Sequence, residues 1–215
     1  MQRVLRELEW RRIDLGDLRA IELFGGSGAF HTLDYAPRVK SLEVWEINPE
    51  LEARLAGNLP EAKIRITDTY SEIKDASKRY DLIICDNPMS LHGSGDGHCE
   101  HFDLFPHIFR IAADSAVLIL NIIPRLDNRA RKRFPYLFNE TQLAARREFY
   151  CVEHPENISP DIMISIYTKL ASESGFTVEW TFLQRRHFVY YLVMRIRKLE
   201  GITKSQPSAA SESAH

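Results

Sequence analysis

Long apolar runs, cysteines and an excess of one charge are all scarce in this sequence. No apolar stretch approaches the roughly 20 residues that a membrane-spanning helix needs, and the first residues lack the apolar centre of a signal peptide. The three cysteines are odd in number and scattered, which favours a reducing compartment over a disulfide scaffold. These absences predict a cytoplasmic protein that does not enter a membrane.

The charges nearly cancel, since 28 Lys and Arg stand against 30 Asp and Glu. A net charge of −2 excludes a whole-molecule attraction for nucleic acid, although a local basic patch remains possible. The length of 215 residues and the 44% hydrophobic content are typical of one large globular domain. We place this domain at residues 1–200 and expect the Ser- and Ala-rich residues 201–215 to form a disordered tail.

Seven short apolar runs predict the strands of one sheet. The first five are rich in Ile, Leu and Val and are separated by helix-length spacers, which is the pattern of a parallel sheet covered on both faces. The last two lie only a few residues apart and must form an antiparallel hairpin. The runs are residues 20–24, 42–47, 63–67, 80–85, 116–123, 176–183 and 188–195.

One helix has clear signals at both ends. Ser159 can cap its N-terminus, Pro160 suits the first helical position, and Gly175 should stop it. The apolar residues that recur at helical spacing, and so predict its buried face, are Ile162, Ile166, Tyr167 and Leu170.

The segment at residues 124–159, here called the basic insertion, fits no strand and is long for a connection. It is helical in character and rich in Arg, with several aromatic residues among the charges. Four interpretations remain open: a lid over a substrate, a docking surface for nucleic acid, a site for an anionic metabolite, and a solvated helical excursion whose aromatic residues form a small core.

A glycine-rich loop directly follows the first predicted strand. Glycines there allow a tight turn and a close approach of ligand to backbone, although several ligands use such a loop. Glu46 ends the second strand, where a carboxylate can accept hydrogen bonds from both hydroxyls of a ribose. Together they predict a nucleoside-containing cofactor. The loop is Glu22, Leu23, Phe24, Gly25, Gly26, Ser27 and Gly28.

Acidic residues around the loop favour S-adenosylmethionine over a dinucleotide. Glu22 would repel a pyrophosphate, whereas it would attract a sulfonium ligand that carries an ammonium group. Asp68 and Thr69 end the third strand and can reach the adenine amino group, and Ile47 can pack on the adenine face.

With these motifs the chain resembles the class I S-adenosylmethionine-dependent methyltransferases over roughly residues 15–195. The resemblance implies an α/β fold, Rossmann-like and doubly wound, with a mostly parallel seven-stranded sheet and an antiparallel last strand. It also implies S-adenosylmethionine as cofactor. Phe24 stands where the family usually has glycine, a variant similar to amino-methylating members. The motifs that carry the resemblance are Glu22 to Gly28, Glu46, Asp68, and Asp86-Asn87-Pro88-Met89.

Polar residues after the fourth strand mark the expected acceptor site, because ligands of open α/β sheets bind at the carboxyl ends of strands. Asn87 could hold an amine with its lone pair toward the methyl group, and Asp86 could hold the acceptor or the methionine amino group. Asp86 could instead only cap a turn before Pro88. Met89 replaces the aromatic ring of the amino-methylating motif, which disfavours methylation of a flipped base.

Residues 90–103, here called the 90–103 segment, are rich in Gly and His and could close over a substrate. His92 is our candidate general base for a hydroxyl acceptor, with His98 and His101 as alternatives. We expect no metal, because the ligand spacing is loose. The residues of that disfavoured metal site are His98, Cys99, His101 and Asp103.

The expected function is methyl transfer from S-adenosylmethionine to an amine or hydroxyl of a small molecule, enclosed by the 90–103 segment and the basic insertion. The alternatives are an RNA or protein methyltransferase that docks through the basic insertion, a catalytically silent subunit that binds a nucleoside, and an aminopropyl-type transferase on the same fold. Nucleic acid is the less favoured partner because the overall charge is slightly negative.

Overall fold

The computed structural model describes residues 1–93, 95, 97–125 and 128–200. The expected disordered tail, residues 201–215, lies outside the described residues, as do Ser94 and Asp96 of the 90–103 segment and residues 126–127 of the basic insertion. Within the described ranges, no helix is both long and apolar enough to cross a membrane.

Strands and helices alternate over the first half of the chain, and helices fill the long connection before the final hairpin. The strands are β1 (Arg19–Glu22), β2 (Ser41–Glu46), β3 (Lys63–Ile66), β4 (Tyr80–Cys85), β5 (Leu91–His92), β6 (His98–Cys99), β7 (Ala112–Ile122), β8 (Phe176–Arg186) and β9 (Val189–Lys198). The α-helices are α1 (Gln2–Trp10), α2 (Thr32–Tyr35), α3 (Glu52–Asn58), α4 (Thr69–Asp75), α5 (His107–Arg110), α6 (Asn128–Arg133), α7 (Glu140–Tyr150) and α8 (Pro160–Glu173).

Seven strands form one sheet in the order β3-β2-β1-β4-β7-β9-β8, and β5 pairs with β6 in a separate ribbon. The first five strands of the sheet along the chain pair in parallel. The last strand, β9, lies between β7 and β8 and is antiparallel to both. The predicted fold class is therefore confirmed.

Both faces of the sheet are buried, because successive residues of a strand point to opposite sides. On β4, Ile83 packs against the layer that contains α4, α5, α7 and α8. Its neighbours Leu82 and Ile84 pack against the layer that contains α1 and α3. Helices on both faces leave the carboxyl ends of the parallel strands as the open edge of the fold.

The final hairpin turns later than predicted. The predicted runs at residues 176–183 and 188–195 leave the polar residues 184–187 for the turn, but β8 continues to Arg186, which pairs with Val189, and the turn is made by His187 and Phe188. The reason is the position of β8 at the edge of the sheet, where charged side chains are tolerated. The extra residues carry Arg186 to the open edge of the fold.

Helix α8 begins as predicted, with Ser159 Oγ accepting a hydrogen bond from the backbone of Ile162 at 3.3 Å and Pro160 in the first position. The predicted face was partly wrong, because Ile162 is exposed. The fully buried residues are Met163, Tyr167 and Ala171, of which the sequence pattern predicts Tyr167 but neither Met163 nor Ala171.

Candidate active site

A cleft of about 680 Å³ opens at the carboxyl ends of β1, β2, β3 and β4, which is within the range of about 300–1,000 Å³ for small-molecule sites. Ser27 and Gly28 are not part of its lining. The structure brings the other predicted site residues together around it: Glu22, Phe24, Gly25, Gly26, Glu46, Ile47, Asp68, Thr69, Asp86, Asn87 and His92.

The glycines of the loop after β1 have different tasks. A Cβ on Gly25 would collide with the side chain of Val44, and one on Gly28 would lie 2.8 Å from Leu59 Cδ1, so both glycines allow the loop to pack on the layer beneath it. Gly26 has a φ of +54° and nothing within 4 Å of a Cβ position. Its backbone is therefore the part of the loop that a ligand can approach closely.

Glu46 joins two turns at the floor of the cleft. Its Oε2 accepts a hydrogen bond from the Gly26 N–H at 2.7 Å, and its Oε1 accepts one from the Asn48 N–H at 2.8 Å. A carboxylate oxygen can accept a second hydrogen bond, so both oxygens remain capable of binding hydroxyl groups. The carboxylate is thus held in one orientation while it lines the cleft.

Glu22 lies at the end of β1 and is only 4% exposed. Its Oε2 accepts a hydrogen bond from the Thr32 hydroxyl at 2.8 Å. Burial raises the pKa of Glu22 to about 8, and the carboxylates of Asp86 and Glu46 also raise it. At neutral pH this carboxyl is therefore largely protonated, and a cationic group beside it would favour its ionised form.

The ends of β2 and β3 form the side where adenine was expected. Asp68 caps α4, because its Oδ1 accepts a hydrogen bond from the Tyr70 N–H at 3.1 Å. The Thr69 hydroxyl donates to the carbonyl of Leu23 and so connects α4 to the end of β1. Ile47 is 63% exposed, which leaves an apolar side chain on the wall of the cleft that a flat ring can cover.

Four rings form a cluster on this wall that sequence reasoning did not predict. Tyr70 and His98 stack with centroids 3.6 Å apart and planes 7° apart. Phe24 meets Tyr70 edge-on at 5.9 Å and His92 at 6.1 Å. Because the members come from the loop after β1, from α4 and from β5 and β6, no local pattern in the sequence indicates them.

His92, the candidate general base, has partners on both ring nitrogens. Nδ1 lies 3.0 Å from the Ser90 carbonyl, and Nε2 lies 2.8 Å from the Tyr70 hydroxyl. Burial lowers the pKa of His92, so the neutral ring is favoured. To accept a proton from a ligand, His92 would first have to release Tyr70.

Asn87 is connected to the helical layer by a buried chain of hydrogen bonds. Its Oδ1 lies 3.0 Å from His101 Nδ1, His101 Nε2 lies 2.6 Å from the Tyr167 hydroxyl, and that hydroxyl lies 3.0 Å from the Tyr150 hydroxyl. Burial lowers the pKa of His101 to about 3, so the ring is neutral. Since an amide oxygen only accepts, His101 donates from Nδ1 to Asn87 and accepts at Nε2 from Tyr167.

The Asn87 side chain also has two contacts close to it in the chain. Its Nδ2 donates to the Pro88 carbonyl at 2.7 Å, and the Cys85 thiol donates to its Oδ1 at 3.8 Å. The side chain is almost fully buried but reaches the cleft.

The basic insertion is fixed to the 90–103 segment by a buried ion pair. Arg146 on α7 donates to Glu100 at 2.5 Å, to the Ile123 carbonyl at 2.6 Å and to the Pro155 carbonyl at 3.3 Å. Both side chains of the pair are at most 5% exposed. Gln142, also on α7, donates to the Met89 carbonyl at 3.2 Å, so the insertion supports the loop that follows β4.

Asp86 is surrounded by donors. Arg186 Nη1 lies 3.1 Å from both carboxylate oxygens, and the Tyr191 hydroxyl donates to Oδ2 at 2.8 Å. Asn121 Nδ2 also donates to Oδ1. Arg186 and Tyr191 come from the final hairpin and were missed by sequence reasoning, because Arg186 had been placed in a turn and Tyr191 in an ordinary apolar strand.

The residues of the disfavoured metal site do not converge on one point. His98 Nδ1 pairs with Asp103 at 2.7 Å, whereas His101 belongs to the chain behind Asn87. Among the residues that the structure describes, no group of three or more His, Cys, Asp or Glu side chains is arranged to hold a metal ion.

Comparison with solved structures finds the same fold in methyltransferases. The magnesium protoporphyrin IX methyltransferase ChlM from Synechocystis PCC 6803, solved with bound S-adenosylhomocysteine, superposes with a TM-score of 0.58 at 14% identity, covering 91% of this chain and 81% of its own. The N-methyltransferase NodS from Bradyrhizobium japonicum WM9 gives 0.53 at 16% identity, covering 93% and 97%. TYW2 from M. jannaschii, solved with AdoMet, gives 0.54 at 14% identity, covering 93% and 77%.

No family model matches the chain, and no curated protein sequence does either. At identities this low the structural likeness defines the fold, which is that of the S-adenosylmethionine-dependent methyltransferases.

Proposed function

We propose that this protein transfers the methyl group of S-adenosylmethionine to the amine of a small molecule, or less favourably to a hydroxyl. The observation that carries the proposal is the cleft at the carboxyl ends of β1, β2, β3 and β4, which is lined by Glu46, by Gly26 and by Asn87. The first two suit a nucleoside, and the third suits a group that must be oriented beside it.

The residues present fit the cofactor. Glu46 can hold the ribose hydroxyls, Ile47 can cover the adenine, and Asp68 can accept from the adenine amino group. Glu22 would face the cationic methionine part, whose charge offsets the cost of ionising a buried carboxyl. When bound, the cofactor supplies an electrophilic methyl group on a sulfonium.

Asn87 is the residue best placed to orient an acceptor amine. A thiol is a weak donor, so an amine N–H can displace the long contact from Cys85 and take its place on Oδ1. The bond from His101 holds the amide in the orientation that presents oxygen rather than nitrogen. An amine is favoured over a hydroxyl, because a hydroxyl needs a base and both ring nitrogens of His92 are already bonded.

The structure of the basic insertion favours a small acceptor over a nucleic acid. Arg146 is buried in an ion pair, and Arg131 donates to the Glu156 carbonyl and lies over the Phe138 ring. Two of the aromatic residues pack against other parts of the fold, Phe149 on Phe102 and Phe134 on the hairpin residue Phe188. These charges and rings support the fold around the insertion, which is why we favour a small acceptor over a docked nucleic acid.

Calorimetry with S-adenosylhomocysteine tests the cofactor. We expect Glu46→Ala to weaken binding by about 1.5–3 kcal/mol, because charge-assisted hydrogen bonds to the ribose are lost. Glu50→Ala, which removes an exposed carboxylate nearby, is the control and should bind like the parent. Unchanged affinity in Glu46→Ala would remove the ribose role.

Turnover assays separate the remaining alternatives. A panel of small amines with labelled S-adenosylmethionine should reveal methylated product. Tight binding of S-adenosylhomocysteine with no methyl transfer to any small molecule, RNA or protein would instead identify a silent subunit. Transfer from decarboxylated S-adenosylmethionine alone would identify an aminopropyl transferase.

A further inference from the structure

We propose that Arg186 forms an anion site in the cleft that binds a carboxylate or phosphate group of a ligand. The inference rests on the proposed function for the identity of that ligand, since the group can belong to the acceptor or to the methionine part of the cofactor.

Several N–H groups of Arg186 have no hydrogen-bond partner among the described residues. All of its hydrogen bonds in the described structure come from Nη1, which contacts Asp86 at 3.1 Å and the Tyr191 hydroxyl at 2.9 Å. Nε and Nη2 have no partner among the described residues. The Nε–Nη2 edge of a guanidinium is one of the edges that bind a carboxylate or phosphate with two parallel hydrogen bonds.

The side chain is also held in place and accessible. Asp86 fixes the guanidinium from one side, and Asp86 is itself fixed by the buried residues Tyr191 and Asn121. The Arg186 side chain is 39% exposed and lines the cleft. Because the guanidinium of Arg186 is already oriented, a ligand does not have to order a flexible side chain.

The charges around the cleft make the position of Arg186 the favourable one for an anion. Of the described residues that line it, Arg186 is the only Lys or Arg, whereas four are carboxylic acids, namely Glu22, Glu46, Asp68 and Asp86. The donors around Asp86 offset its charge, so it repels an anion less than a free carboxylate would. A negative group in the cleft therefore has one favourable place, at Arg186.

Three variants test the site. Arg186→Met removes the charge and the donors, and Arg186→Lys keeps the charge opposite Asp86 but lacks the planar fork. The matched control is Arg185→Met, because Arg185 is the neighbouring exposed arginine, donates to the His187 carbonyl and does not line the cleft. Thermal unfolding of each variant establishes that it is folded.

The first arm compares S-adenosylhomocysteine with 5′-methylthioadenosine, which lacks the amino-acid group. If Arg186 binds the cofactor carboxylate, both Arg186 variants lose about tenfold in affinity for the former and keep their affinity for the latter. The control keeps both affinities.

The second arm titrates inorganic phosphate into protein saturated with S-adenosylhomocysteine. If the site takes an anion of the acceptor, phosphate binds to the parent and to Arg185→Met, and both Arg186 variants bind it about tenfold more weakly. Binding that depends on Arg186 in either arm supports the anion site. The arm in which it occurs shows whether the anionic group belongs to the cofactor or to the acceptor.

Independence from Arg186 in both arms overturns the proposal. Phosphate is also titrated without any nucleoside, so that the two proposals can fail separately. Phosphate binding that depends on Arg186, in a protein that binds no S-adenosylhomocysteine, would keep the anion site and reject the cofactor.

Discussion

On the side of β1, β2 and β3, the cleft is shaped by backbone turns and by residues within a few positions of a strand end, whereas on the side of β4 and the final hairpin it is shaped by side chains from distant parts of the chain. Within the part of the chain that the structure describes, Glu46 on the first side bonds only to backbone N–H groups. Asp86 on the second side bonds to Asn121, Arg186 and Tyr191. The first half is here called the cofactor side and the second half the acceptor side. The cofactor side can therefore keep its shape when the acceptor side changes.

The largest effect should come from the support of the acceptor side. Arg146→Met leaves Glu100 buried without its partner, and we expect a loss of about 3–5 kcal/mol in the free energy of unfolding. Denaturant unfolding measures it. The double variant Arg146→Met with Glu100→Gln should recover part of the loss, and a double variant as unstable as the single one would show that packing, not the charge, is what matters.

The next effect is the pH dependence of stability that Glu22 causes on the cofactor side. Glu22 has a folded-state pKa of about 8 against an ordinary value of 4.5, so its contribution to stability is present below about pH 4.5 and is lost as the pH rises through about 8. We expect Glu22→Gln to remove this loss, on the order of a few kcal/mol at alkaline pH. Unfolding curves at pH 5 and pH 9 compare parent and variant, and a parallel pH dependence of the two would contradict the assignment.

Asn87 gives the clearest test of the difference between the cofactor side and the acceptor side. We expect Asn87→Ala to lower the turnover number about 100-fold, because acceptor orientation is lost, while the affinity for S-adenosylhomocysteine changes little. Steady-state kinetics and calorimetry give the two quantities separately. The reverse pattern, weak cofactor binding with normal turnover at saturation, would move Asn87 to the cofactor side.

The smallest effect should follow from changes on the outside of the basic insertion. Lys132 and Arg133 are exposed, and we expect the double change to Glu to alter kcat/KM less than about twofold, as for a surface away from the site. A large, salt-dependent loss of activity would show instead that the insertion docks a nucleic acid.

The same contrast explains what the sequence could predict. The glycine loop, Glu46 and Asp68 follow strand ends directly, so strand prediction alone brings them to one edge. Arg186 contacts Asp86 across 100 positions of the chain, and Tyr167 contacts His101 across 66. Pairings of this kind depend on how helices and strands pack, which no local periodicity encodes.

Local rules also failed where the position in the sheet or in the core decided the outcome. Arg185 and Arg186 indicated a turn, yet both lie in an edge strand. Conversely, His101 is a polar side chain in a core position, and its hydrogen bonds to Asn87 and Tyr167 compensate for its burial.

The two backbone bonds to Glu46 mean that this side chain is immobilised during folding, before any nucleoside arrives. The N–H groups of Gly26 and Asn48 are thereby bonded to one carboxylate, and the hydroxyls of a ribose would share its two oxygens with them. Exchange of these two amide protons with solvent would then register occupancy of the neighbouring nucleoside position, although neither residue belongs to the reacting centre.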